Sequence, residues 1–151
     1  MIIIETALFK GIDFKILNKV ADICIEESYA KDTVLFKTNE EAEYLYILTN
    51  GTLNLVVKNG GTLTFRINEP GEVFGWSSMV ESGKYTSSGV CATDLEAIKI
   101  GRDKLNKIFN IHPDVGLIVL KRLGGVFSKR LSNAYRNLLS SQETDSTLSY
   151  G

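Results

Sequence analysis

Residues Glu69–Val90 read EPGEVFGWSSMVESGKYTSSGV. Two aromatic residues, Phe74 and Trp76, flank Gly75 and lead into a hydroxyl pair, Ser77 and Ser78. A short apolar helical turn follows, then a second hydroxyl cluster at Thr86, Ser87 and Ser88. The stretch is composed like a frame that holds something small between two pieces of backbone. Its surroundings decide what kind of frame.

From Ile25 to Ile100 the apolar residues follow a period of two. Short strands fit Thr33–Phe36, Tyr44–Leu48, Leu53–Lys58, Leu63–Ile67, Tyr85–Ala92 and Leu95–Ile100. Turn signals separate them: TNEEAE, TNG at Thr49–Gly51, NGG at Asn59–Gly61 and NEPGE at Asn68–Glu72. Strands this short, with turns this regular, argue for a sandwich, barrel or jelly roll. On the N-terminal side, residues 5–24 carry Leu8, Phe9, Phe14, Ile16, Leu17, Val20 and Ile23 at near-helical spacing, broken by Gly11. Two short helices fit there.

After Arg102 the helical period returns. The segment DKLNKIF is a short amphipathic helix, and Pro113 opens a long one with Asp114 in its first turn. Within it Leu117, Leu120, Gly124, Phe127, Leu131, Ala134 and Leu138 keep a 3-4 spacing. That is a heptad seam of about three heptads. It fits either a homodimer interface or a helix packed on its own barrel. A helix of ~25 residues reaches ~38 Å, more than a small barrel needs, which favours the dimer. Lys121, Arg122, Lys129, Arg130 and Arg136 lie on the same helix and read as its solvated face. The expected class is α+β, mainly β: a small jelly-roll or double-stranded β-helix barrel with N-terminal helices and a long C-terminal helix. One domain over 1–141 is expected (helices 5–24, β-roll 25–100, helices 102–141), with a flexible tail at 142–151.

Composition narrows the function classes. A chain of 151 residues with 44% hydrophobic residues has the size and make-up of one globular domain. Net charge −1 supplies no global field to recruit nucleic acid or an anionic membrane. Cys24 and Cys91 are the only cysteines, too few for a disulfide scaffold or a metal knuckle, and read as small buried residues. No stretch resembles a signal peptide or a membrane span, so a cytoplasmic protein is expected. The single histidine, His112 before Pro113, reads as a loop or cap residue. Metal enzymes of the cupin type, zinc hydrolases and histidine acid–base machinery need several ligands or an oriented partner, so no enzyme and no metal are expected.

The order of these parts resembles the cyclic-nucleotide-binding domain of the Crp/Fnr type, over roughly residues 8–140. Glu43–Gly51 (EYLYILTNG), followed by Thr52–Val57, is similar to the family's "LYxIxxGxVxV" hairpin. Asn68–Gly75 resembles the entry to its phosphate-binding cassette, and Asp94–Pro113 runs into the C-terminal helix at family spacing. Asn39 stands where the family usually has glycine, and asparagine is the next-best residue for a left-handed turn. In such a cassette a tight glycine turn leads into one helical turn whose free N–H groups face a phosphate.

The resemblance implies a site, and the sequence departs from it in two places. Nucleotide-binding members hold the ribose 2′-hydroxyl with a glutamate after the cassette glycine, and the cyclic phosphate with an arginine followed by a small hydroxyl residue. Here those positions are Trp76, Thr86 and Ser87. Each charge-assisted hydrogen bond is worth ~1.5–3 kcal/mol, so losing both weakens a cyclic nucleotide by about 10²–10⁴-fold. The resemblance therefore implies a sensor with an altered pocket for a cyclic nucleotide or another small anionic effector. Phe74, Gly75, Trp76, Ser77, Ser78, Thr86, Ser87, Ser88, Phe127 and Arg130 are its expected contacts. Trp76 either covers the ribose site or packs inward. Signalling would pass through the C-terminal helix; the alternative is a ligand-free dimerisation module with a degenerate pocket. Two cysteines do not make an iron–sulfur sensor, and His112 alone is on offer to haem. Only about ten polar residues follow the helix, so this chain is not expected to bind DNA through a winged helix-turn-helix.

Overall fold

The structure is a computed structural model that describes the backbone of residues 6–150 and the side chains of 6–140. Eight strands form two antiparallel four-stranded sheets. β1 (Cys24–Tyr29), β8 (Leu95–Gly101), β3 (Tyr44–Asn50) and β6 (Val73–Phe74) make one, in that order. β2 (Val34–Phe36), β7 (Ser88–Cys91), β4 (Leu53–Lys58) and β5 (Thr62–Ile67) make the other. The helices are α1 (Phe14–Ile23), α2 (Arg102–Ile111) and α3 (Pro113–Tyr150), with a 3-10 turn at Trp76–Met79. This is the expected β-roll with a long C-terminal helix.

The first sheet is covered on both faces. Leu45 and Ile47 of β3, with Ile98 and Ile100 of β8, pack under Leu17, Val20, Leu105 and Val119 of the helices. Their alternate neighbours Tyr46, Leu48, Leu95 and Ala97 face the interior of the roll, against Phe36, Leu53, Leu55 and Phe74. Burial on both sides explains why β3 reads as the unbroken run YLYILT rather than as a clean alternation. Gly51 ends this strand at φ 96, where a Cβ would lie 2.3 Å from the Asp94 carbonyl oxygen. No side chain fits between those two turns. Asn39 adopts φ 71, as its left-handed turn requires, and its N–H donates to the Tyr85 carbonyl at 2.8 Å.

Several expectations need correction. Among the described residues one N-terminal helix forms, α1, capped by the Asp13 carboxylate accepting from the Lys15 N–H at 2.8 Å. Thr6–Gly11 closes as a turn, with the Lys10 N–H donating to the Thr6 carbonyl, and stops at Gly11 with φ 78. Glu5 lies outside the described residues. β1 and β6 were not expected at all. β1 (CIEESY) carries adjacent glutamates and little alternation, yet it pairs with β8 from Cys24↔Ile100 to Tyr29↔Leu95. The expected strand at Tyr85–Ala92 shrinks to Ser88–Cys91, because Tyr85 bonds the turn at Asn39 and Glu40 instead.

The long helix has two apolar stripes. Val115, Val119 and Leu123 are buried against the helical core. Leu117, Leu120, Leu131 and Leu138 of the heptad seam stay exposed, Leu117 and Leu138 at 55% each. Docking on the helical core therefore uses a different stripe, while Phe127 and Leu131 of the seam turn toward the roll. Arg122 ties this helix to the N-terminal turn: its Nη1 donates to the carbonyls of Leu8 at 3.0 Å and Lys10 at 2.7 Å. Helical backbone continues through Tyr150, into the stretch 142–151 read as a tail.

Candidate functional site

β6 carries the chain out of the first sheet to Gly75, which turns at φ 72, ψ 20. A Cβ at Gly75 would lie 3.0 Å from both the Tyr44 carbonyl oxygen and Tyr46 Cδ2. Only glycine meets both the left-handed backbone and that close approach. The turn Trp76–Met79 then runs along the mouth of the roll. Ser78 is spent inside it, since its hydroxyl and its N–H both donate to the Gly75 carbonyl, at 2.9 and 3.1 Å.

Between this turn, the second sheet and α3 lies a cavity of about 320 Å³, within the range of small-molecule sites. Its floor is Leu55 and Val57 of β4 with Phe65 and Ile67 of β5, and Phe36 and Tyr85 line it too. Gly75, Trp76 and Ser77 come from the cassette, Thr86 and Ser87 from the segment before β7. The helix contributes Phe127, Arg130, Leu131 and Asn133, and the charged residues Arg66 and Glu72 complete the lining. Apolar walls, the hydroxyl residues Ser77, Tyr85, Thr86 and Ser87 and a few charges make this the candidate site.

Three of the expected contacts are elsewhere. Phe74 is fully buried in the roll, stacked on Tyr46 with ring centroids 4.9 Å apart. Ser78 is buried and bonded as described. Ser88 points away from the cavity, its Oγ accepting from the Thr38 N–H at 3.1 Å. Each flanks residues that do line the cavity, where the turns around Gly75 and before β7 set which side chains face it. Gly75, Trp76, Ser77, Thr86, Ser87, Phe127 and Arg130 are brought together. The floor residues were missed, although the register Leu55↔Phe65 and Leu53↔Ile67 follows from period two in β4 and β5 once their hairpin is known.

Two contacts join the cassette to α3. Trp76 rests against Phe127 with ring centroids 3.6 Å apart at 51°. It also packs on the helical core while lining the cavity. Arg130 Nη2 donates to the Val73 carbonyl. Its Nη1 is buried with no hydrogen-bond partner among the described residues. Burial lowers the pKa of this guanidinium, while Glu72 acts to raise it. Glu72 is itself occupied, its Oε2 accepting from the N–H groups of Asn68 at 3.0 Å and Glu69 at 2.9 Å. Tyr85 donates its hydroxyl to the Tyr44 carbonyl at 2.9 Å, and burial pushes its pKa up to about 12.

Cys24, Cys91 and His112 lie outside the cavity lining. Burial pushes the Cys24 thiol up to about 11, with the Glu26 carboxylate adding to the shift, and Cys91 is raised by burial as well. Neither thiol is activated. His112 caps α2, and its Nε2 lies 3.4 Å from Lys19 Nζ. Among the described residues no group of three or more His, Cys, Asp or Glu side chains is placed to hold a metal. None of their helices is long and apolar enough to cross a membrane.

Two antiparallel sheets, a glycine turn leading into a 3-10 turn and a long C-terminal helix define the class of fold. The chain belongs to the cyclic nucleotide-binding domain family, whose model matches residues 26–112. It is 26% identical over 142 residues to a cAMP-dependent protein kinase regulatory subunit of Candida albicans, covering 94% of this chain and 27% of that protein. It is also 26% identical over 118 residues to the cAMP-activated global transcriptional regulator CRP of Pasteurella multocida, covering 76% of this chain and 54% of that protein. The chain thus spans about half or less of the curated relatives, both of which are regulatory proteins. A solved cyclic nucleotide-binding domain from Methylobacillus flagellatus superposes with a TM-score of 0.79 at 21% identity, covering 93% of this chain and 80% of that one. At that identity the likeness is one of fold.

Proposed function

We propose that this chain is a non-enzymatic sensor module of the cytoplasm that binds a small effector in the β-roll and signals through α3. One observation carries the reading: the cavity is walled partly by the cassette and partly by the helix, which meet at Trp76–Phe127 and Arg130–Val73. An occupant touches both, and a ligand shifts a conformational equilibrium only through such differential contacts. Cyclic AMP and cyclic GMP fit this site poorly, since an indole and a threonine stand where a carboxylate and a guanidinium would bind them. Calorimetry with both nucleotides tests this; micromolar binding of either one shows that the pocket is not altered in the way argued.

The exposed seam on α3 supports a second, compatible reading, homodimerisation through the C-terminal helix. Leu117, Leu120 and Leu138 remain exposed although a separate stripe already docks the helix. Light scattering on the purified chain is expected to give a dimer mass, reduced to a monomer by Leu120→Asp combined with Leu138→Asp. A monomer at high micromolar concentration before any substitution removes the seam argument. Should no ligand bind and the dimer persist, the chain is a dimerisation module with a relic pocket. Direct DNA or membrane binding forms no part of either reading.

A further inference from the structure

We infer that the effector is an amphipathic anion, an apolar body bearing one carboxylate or phosphate group, and that its charged head is held by Arg130 on the helix instead of by the cassette. This rests on the effector reading above and names the ligand class. The decisive atom is Arg130 Nη1, which is buried and without a hydrogen-bond partner among the described residues, in a side chain that lines the cavity. A buried donor on a cationic group left unmade is expensive, so its persistence points to a partner that binds there. None of the described neighbours bonds it. Nη2 of the same guanidinium is committed to the Val73 carbonyl, and the nearest countercharge, Glu72, already accepts from two backbone N–H groups.

Charge and shape set the rest. Arg66 and Arg130 against Glu72 leave the lining one positive charge in excess (two cations, one anion). A single anionic group matches that excess. The floor facing the guanidinium is hydrocarbon and aromatic, from Leu55, Val57, Phe65 and Ile67, and Phe127 and Trp76 wall the helix side. Such walls accept an apolar body. The cation has in effect moved from the cassette, where Thr86 now stands, to the helix. An anion on Nη1 therefore fastens α3 to β6 through one guanidinium, with Nη2 still on Val73.

Calorimetry at neutral pH with naphthoate, naphthyl phosphate, the neutral isostere naphthalenemethanol and cyclic AMP tests the inference. At least one naphthyl anion is expected to bind about 10- to 100-fold more tightly than the alcohol, the ratio one charge-assisted hydrogen bond supplies. The tighter of the two identifies the head group as carboxylate or phosphate. Arg130→Met is expected to erase that ratio, and Arg130→Lys to retain most of it. Equal binding of the alcohol and both anions overturns the anionic head while leaving an effector site. Micromolar cyclic AMP with no naphthyl anion bound overturns the ligand class but not the sensor. No binding of any probe removes both. Should Arg130→Met fail to fold, Arg66→Met decides the matter: the anion-to-alcohol ratio is expected to survive it, and its loss there overturns Arg130 as the holder of the head group.

Discussion

Gly75→Ala is the sharpest probe of the cassette, because two separable penalties fall on one methyl group. The backbone sits at φ 72, where an L-residue costs about 1–2 kcal/mol more than glycine. The new Cβ would also lie 3.0 Å from the Tyr44 carbonyl oxygen and 3.0 Å from Tyr46 Cδ2. Neither neighbour yields easily, since Tyr44 is held in the β3–β8 ladder and Tyr46 is buried and stacked on Phe74. Overpacking of that kind costs about 1–3 kcal/mol. The total expected loss is about 2–5 kcal/mol, the sum of the two ranges. Gly60→Ala is the control, at φ 69 with nothing within 4 Å of the added carbon. It should lose only the first part, about 1–2 kcal/mol. Equilibrium unfolding in urea, followed by circular dichroism and by the fluorescence of the lone tryptophan, Trp76, measures both. Equal losses at the two glycines would refute the close-approach argument.

Two more outcomes are expected. In a double-mutant cycle, Trp76→Ala and Phe127→Ala should couple by about 0.5–1.5 kcal/mol in stability, and strict additivity would mean that the ring contact does not hold the helix. Burial raises the phenol pKa of both Tyr46 and Tyr85, so folding disfavours their ionised forms. Stability is then full below about 10, where phenols of the unfolded chain ionise. It falls as pH rises from there through about 12. A denaturation midpoint that stays constant across that window counts against the buried phenols.

The parts of the fold that were legible are those whose signal is local. β4 and β5 alternate cleanly and are joined by an Asn59–Gly61 turn, so their pairing could be read directly. β1 and β6 carry no such signal. Glu26 and Glu27 break the alternation of one, and the other is a two-residue strand made only by its partner β3. Both are products of tertiary pairing, which propensity does not see. The heptad on α3 was readable as spacing, but spacing does not say which stripe docks. Val115, Val119 and Leu123 do so because the helical core lies on their side. At the site, glycines and aromatics marked the cassette, while the side to which Phe74, Ser78 and Ser88 point depends on turns that shift the register. The unpartnered Nη1 of Arg130 is not a property of sequence at all, because a missing bond is visible only where every neighbour has been placed.

Arg122 and Arg130 stand about two turns apart on α3. The first grips the carbonyls of Leu8 and Lys10, the second the carbonyl of Val73 at the cassette. One stretch of helix is thus the common anchor of the N-terminal turn and of the cavity wall. Fraying that stretch releases both at once, so the two regions should open as one cooperative unit rather than separately. Thermodynamic reciprocity adds a constraint. Any molecule that prises the N-terminal turn from Arg122 and thereby changes the affinity of the cavity must find its own affinity changed, by the same factor, when the cavity is filled.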